Sequence, residues 1–166
     1  MPIPDFIREL RRHVGPMPLW LSGSTAVVVR PAEVGEEVLL VRRADTGVWS
    51  PVCGIIDPGE QPGEAAVRES LEEAGVVVEV ERLVWMDVTA PTTYGNGDVT
   101  QYIDHTFRCR WVSGDPFPAD GENTHAAWFP TDALPHLPGE FGDRVAVALA
   151  DEPECRLGPL GGPARG

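Results

Sequence analysis

The chain reads as an α/β protein, a mixed β-sheet held between helices. Three observations predict this class. Short runs of β-branched and apolar residues recur along the chain. Stretches at 4–14, 62–74 and 141–149 carry helical signals. The two kinds of segment alternate irregularly rather than as strict strand–helix–strand units. The 166 residues suffice for one domain with a sizeable core.

In residues 4–14, Phe6, Ile7, Leu10 and Val14 share one helical face, Arg8 and Arg12 lie away from it, and Arg11 borders it. Gly15-Pro16 ends that helix. Its apolar stripe either packs on the domain or forms a homodimer contact. Ala26–Val29 is a buried-strand run within 24–30, Pro31 to Glu36 is a turn, and Glu37–Arg43 is a second strand paired with the first. That pair leads through Trp49 into a glycine loop.

Pro62 suits the first helical position, where its missing N–H is no loss, and Gly75 suits the stop after Ala74. Val67, Leu71 and Ala74 are expected to form the apolar face of this helix. Ser70 lies close to that face, placed to bond back to the carbonyl of Ala66. Val76–Val88 reads as strand, and Asn96-Gly97 marks a hairpin turn. Thr100–Val112 reads as a long strand, Gly114–Asn123 as an acidic loop and His125–Phe129 as a short strand. Thr131–Leu134 is expected to start a helical turn, and Phe141–Leu149 is the closing helix. Residues 1–153 form the single domain, and 154–166 read as a flexible Gly/Pro-rich tail.

Composition narrows the function. A hydrophobic content of 42% fits a globular fold. The net charge of −13 argues against nucleic acid polymers and anionic membranes, which need basic surface. It leaves a small nucleotide open, because a bound metal neutralises phosphates locally. Cys53, Cys109 and Cys155 are odd in number, with no CxxC and no signal-peptide pattern, which points to reduced thiols and a cytoplasmic setting. No apolar run approaches membrane-spanning length.

The run from Gly54 to Val76 carries most of the functional information. Glu69, Glu72 and Glu73 stand at i, i+3 and i+4, so they project from one helix as neighbours. Like charges at that spacing weaken a helix. A sequence that keeps three of them there has a cation to bind, and hard ions such as Mg²⁺ take carboxylate and carbonyl oxygens.

The spacing Gly54, five residues, Glu60, seven residues, Arg68-Glu69, two residues, Glu72-Glu73, one residue, Gly75, then Val76 resembles the complete signature of the Nudix hydrolases. Ser70 stands where that family usually has an aliphatic residue, and Cys53 where it often has a further glycine. The resemblance implies an α/β/α sandwich around a mixed sheet. It also implies Mg²⁺-dependent hydrolysis, with Mn²⁺ as an alternative ion, of a nucleoside diphosphate linked to another group. Glu69 and Glu73 are the first pair to hold metal, Glu72 sits beside them, and a carbonyl at Gly54 or Cys53 completes the set. Arg68 takes the role of orienting a glutamate. Glu60 braces the helix or a metal-bound water. Two glutamates remain open as general base, Glu69 on the helix and Glu122 in the distal acidic loop; Asp120 is a weaker candidate there.

Residues outside the run bear on substrate. Arg42 and Arg43 end a strand just before the site, within reach of phosphates or simply solvated. Trp20, Trp49, Trp85, Tyr94 and Tyr102 are stacking candidates or core residues. His105 and His125 lack metal-ligand spacing and read as structural. Pro91, 15 residues beyond Val76, resembles a spacing seen in ADP-ribose pyrophosphatases. A nucleotide-sensing module without turnover and a triphosphate pyrophosphatase are the alternatives. A calcium-binding structural protein is disfavoured by the lack of a DxDxDG loop.

Overall fold

The first long strand, β1 (Leu19–Pro31), shows why the sheet needs a helix on each side: every residue from Gly23 to Val29 is buried. A strand buried on both faces reads as a continuous apolar run rather than an alternation. In this computed structural model, which describes residues 3–150 and 152–160, β1 is preceded by α1 (Asp5–Val14). It is followed by β2 (Glu36–Arg43), β3 (Trp49–Ser50), β4 (Val52–Ile55), α2 (Pro62–Ala74), β5 (Val77–Val88), β6 (Thr92–Thr93), β7 (Val99–Ser113), β8 (Asn123–Pro130), α3 (Glu140–Leu149) and β9 (Arg156–Leu157).

The sheet is mixed. Its main path runs β3-β2-β1-β7-β5-β9, with β4 on β1, β6 on β7 and β8 on β2. β1 lies parallel to β7 from Leu19↔Thr100 to Val29↔Arg110, and β5 lies parallel to β9; the other pairings are antiparallel. One edge of β1 serves two partners. Its middle pairs with β4 from Gly23↔Ile55 to Ala26↔Val52, and its end pairs with β2 from Val29↔Val38 to Pro31↔Glu36. The sheet therefore forks between residues 26 and 29, and β4 leads into the glycine loop.

The two faces carry separate cores. Ala26, Val28, Leu39, Val41 and Phe107 pack with Ala66 and Ala74 of α2, while Val27, Val29, Val38, Leu40 and Trp85 pack with Val145 and Ala148 of α3. This is the helix–sheet–helix layering expected from the sequence. α1 docks through Ile7 against Leu19 and Leu21. Arg11, at the border of its apolar stripe, donates to the carbonyls of Gly15 and Val99 at 3.1 Å and pairs with Asp98. Among the described residues no helix is long and apolar enough to cross a membrane.

Three expectations change. Leu71, assigned to the buried face of α2, is 53% exposed. The buried residues of α2 are instead Ala65, Ala66, Glu69, Ser70, Glu73 and Ala74. The small ones among them, Ala65, Ala66, Ser70 and Ala74, let the helix settle close on the sheet, and the hydroxyl of Ser70 is satisfied by the carbonyl of Ala66 at 2.7 Å. Thr131–Leu134 forms a turn, not a helix, closed by Ala133 N–H donating to Pro130 O. Within the stretch expected to be a flexible tail, β9 extends the sheet beside Trp85 and Met86, and the Trp85 indole N–H donates to Gly158 O at 2.8 Å. A buried donor thereby finds the partner it needs. Residues 161–166 lie outside the described residues.

On the α3 side a charged network is buried between β1, β7 and α3. Arg144 meets Asp104 at 3.0 Å, with both side chains only 8% exposed. Thr25 and Thr106 each donate to Asp104, at 2.9 and 2.8 Å. Arg144 also reaches Thr25 at 2.6 Å and Glu140 at 3.2 Å. Removing one partner of such a pair leaves an uncompensated buried charge. Asp104→Ala is therefore expected to cost about 3–5 kcal/mol in urea denaturation, and the double change Asp104→Leu with Arg144→Met to recover most of it.

Candidate active site

The site is built where α2 crosses β4. The start of the helix is pinned to β1 by Ser24 Oγ donating to Pro62 O at 2.9 Å, and Gln61 N–H donates to the Glu64 carboxylate at 3.3 Å. The helix ends at Gly75, whose φ of 68° is the left-handed conformation that a glycine adopts without cost. Between these ends, Glu69 and Glu73 turn toward the sheet and are only 4% and 5% exposed.

Glycine 54 makes this possible. A β-carbon placed on Gly54 would fall 1.9 Å from Glu69 Oε1, so the carboxylate occupies the space that any side chain would fill. The close approach of strand to carboxylate is the physical reason for a glycine there.

Arg68 gathers the remaining acids. Its Nε and Nη2 form a bidentate pair with Glu60 at 2.8 and 2.9 Å. Its Nη1 reaches Glu69 at 2.8 Å and Glu72 at 3.2 Å, and its Nη2 donates to Ile55 O at 3.1 Å. Such planar, forked contacts suit arginine and not lysine. Glu60 also accepts from Asp57 N–H, so both its oxygens are engaged within the glycine loop. The hydrogen bonds from Arg68 hold the Glu60 carboxyl below the usual range.

Burial pushes the Glu69 carboxyl up to about 7, opposed by Arg68, with Glu72 and Glu122 adding to the rise. Burial and then the charge of Glu69 push Glu73 up to about 8, opposed by a hydrogen bond from Asn123. Asn123 Nδ2 donates to Glu73 Oε2 at 3.2 Å. Burial raises Glu122 as well, and Asp120 adds to it. The distal acidic loop thus comes to the helix face.

The other sequence candidates divide. Glu72 sits at the outer rim with its side chain 54% exposed. Arg43 is close enough to be influenced by Glu73 and Cys53, yet its guanidinium pairs with Asp45 at 2.7 and 3.0 Å. Arg42 donates to Gly47 O. Trp85 is core, Trp49 packs edge-on against Phe129, and Trp20 is exposed, while the Tyr94 and Tyr102 hydroxyls meet at 2.9 Å. His105 hydrogen-bonds Gly23 O and is structural in that sense, whereas His125 lies near Trp49 at the surface. Burial pushes the Cys53 thiol up to about 12, leaving it protonated and inert. An open groove of about 790 Å³ between α1 and the loop is lined by Phe6, Leu10, Trp20 and Pro58, but not by Glu69 or Glu73.

Asn123 is the site residue that sequence reasoning missed; its only signal was adjacency to Glu122. Among the described residues, no three His, Cys, Asp or Glu side chains are already gathered as an ion cage. The donor chemistry nevertheless fits a hard cation. Two buried, mutually repelling carboxylates share one helix, and one of them, Glu69, lies directly against the backbone of Gly54.

Fold and site together define an α/β protein that presents a carboxylate pair on a helix seated over a glycine strand. The chain belongs to the Nudix family, since the NUDIX domain model matches residues 21–150. It is 36% identical over 122 residues to the "NAD-capped RNA hydrolase NudC" of Pseudomonas aeruginosa, covering 72% of this chain and 40% of that one. The chain thus spans about two fifths of the length of that relative. It is 35% identical over 133 residues to a "MutT-like protein" of Streptomyces ambofaciens, covering 80% and 74% of the two chains. In fold it resembles the crystal structure of an ADP-ribose pyrophosphatase from Streptococcus suis, with a TM-score of 0.60, 23% identity and coverage of 82% and 98%.

The raised carboxyls have a consequence for stability. An acid whose folded pKa lies above its unfolded value binds more protons when folded, so stability falls as pH rises through that window. With EDTA present, the protein is expected to lose stability between about pH 4.5 and pH 8 through Glu69 and Glu73. Urea titrations across that range check this, and Glu73→Gln is expected to reduce the total loss across it by more than about 1 kcal/mol.

Proposed function

We propose that the protein hydrolyses the phosphoanhydride of a nucleoside diphosphate linked to another group, using Mg²⁺, with ADP-ribose or a sugar nucleotide as substrate class. The observation that carries this reading is the buried Glu69–Glu73 pair, with Glu69 packed against Gly54, set within the family signature. Glu69 and Glu73 would hold the ion from one helical face, with the Gly54 carbonyl as the backbone donor and Glu72 at the rim. Bound there, a divalent ion supplies charge neutralisation at phosphorus and hydroxide near neutral pH.

The remaining work belongs to the chain. Arg68 keeps Glu69 oriented through its 2.8 Å contact, and Asn123 does the same for Glu73. Glu60 anchors Arg68 and closes the loop. Glu69 is our first assignment for the base that takes a proton from the attacking water, and Glu122 is the distal alternative. Glu122→Gln separates them: near wild-type turnover leaves Glu69 as the base, and abolished turnover with unchanged Mg²⁺ affinity assigns Glu122. The three free thiols support a cytoplasmic setting.

The acidic surface favours a small substrate over a polymer. The relative named for NAD-capped RNA is matched over only part of its length, so that substrate belongs in the test. The panel is ADP-ribose, sugar nucleotides, NAD, NAD-capped RNA and nucleoside triphosphates, with Mg²⁺ and with EDTA. Release from a diphosphate-linked substrate is expected with Mg²⁺ only. Glu73→Gln is expected to lower kcat by about 100-fold or more while circular dichroism stays unchanged. Near wild-type turnover in that variant overturns the reading.

A further inference from the structure

We infer that Phe117, far from the signature run, is a positioning residue that clasps the distal loop onto the metal-site helix. Its ring lies over Gly75, where a β-carbon would fall 2.2 Å from Phe117 Cε1 and 2.7 Å from Cδ1. The contact therefore exists only because α2 ends on a glycine. Backbone bonds follow the ring. Phe117 N–H donates to Ala74 O at 3.1 Å, and Ala119 N–H donates to Glu73 O at 3.2 Å.

These are last-turn carbonyls of α2, which lack intrahelical partners. One of them belongs to Glu73 itself. Four residues beyond Ala119 the same loop delivers the Asn123 amide to the Glu73 carboxylate at 3.2 Å. At its far end the loop is tied to the β2–β3 turn by Ala44 N–H donating to Glu122 O at 2.8 Å. Glu73 is thus gripped at its backbone and its side chain by one loop whose anchor is an aromatic ring on a bare glycine. The ring contributes little to the core, since Phe117 is 55% exposed. Its contribution is to hold the loop in register with the helix.

The inference rests on the carboxylate site of the preceding section, and the test separates the two. Phe117→Ala, with Phe117→Leu as the conservative variant, is measured by amide hydrogen exchange, by calorimetric titration with Mg²⁺, and by kcat and KM. Exchange at residues 117–123 is expected to accelerate at least about tenfold in Phe117→Ala, with or without metal. Mg²⁺ affinity and kcat are each expected to fall about 10–100-fold, with KM for the nucleotide within about threefold of wild type and Phe117→Leu restoring most of the loss. Unchanged exchange overturns the clasp. So does accelerated exchange with wild-type Mg²⁺ affinity and kcat. A wild-type protein that neither binds Mg²⁺ nor turns over any substrate overturns the metal-site reading instead, and the exchange measurement then decides the clasp alone.

Discussion

Two carboxylates one helical turn apart, turned into the protein rather than toward water, set the terms for everything around them. Burial and mutual repulsion both oppose their ionisation. A helix face of small residues, a glycine opposite, an arginine beside and an asparagine from a distant loop are all arranged about that one constraint. Remove the need to bury Glu69 and Glu73, and neither Gly54 nor the small-residue face of α2 has an obvious reason. An ordinary amphipathic helix would place Leu71 inward and its glutamates outward. Here Leu71 is outside and Glu69 and Glu73 are inside.

The compensation is distributed over three segments. Arg68 ties Glu60, Glu69, Glu72 and the Ile55 carbonyl with a single guanidinium, so the glycine loop and the helix move together. Asn123 and the backbone of the 114–123 loop do the same for the other end of α2. One glutamate is restrained from the helix start, the other from the helix end. The arginine and the amide each lower the proton affinity that burial raises, but only in part, since the carboxyls stay near 7 and 8. A carboxylate pair left under-compensated in this way has a standing attraction for a cation.

Local chemistry was legible in the chain, and long-range pairing was not. Pro62 and Gly75 placed both ends of α2, and the Ser70–Ala66 bond followed from one residue type on a helix. The strand pair β1–β2 and the Asn96-Gly97 turn were visible for the same reason. Of the expected face Val67, Leu71 and Ala74, only Leu71 lies outside, because hydrophobicity alone cannot see that Gly54 opens room for a carboxylate. Asn123 with Glu73, Asp104 with Arg144 and Phe117 with Gly75 each join residues distant in sequence. No periodicity reports such contacts. Nor does any report that β9, in a Gly/Pro-rich end, finds an edge of β5 to pair with.

The register of two short strand segments connects the site to the rest of the sheet. Ser24 stands opposite Gly54, and Thr25 stands opposite Cys53. On one face Ser24 holds the first turn of α2 while Gly54 admits Glu69. On the other face Thr25 enters the Asp104–Arg144 network that fixes α3, and its hydroxyl lies 3.5 Å from the Cys53 sulfur. A slip of one residue in β4 would exchange every side chain between the faces. A slip that set Cys53 opposite Ser24 would put a β-carbon in the space the Glu69 carboxylate needs, and would set Val52 in place of Cys53 against Thr25. Both errors act in the same direction, because each face tests the register independently. The buried ion pair on the α3 side therefore contributes to the geometry on the α2 side without touching it: by holding Thr25, it holds the strand against which Gly54 is aligned.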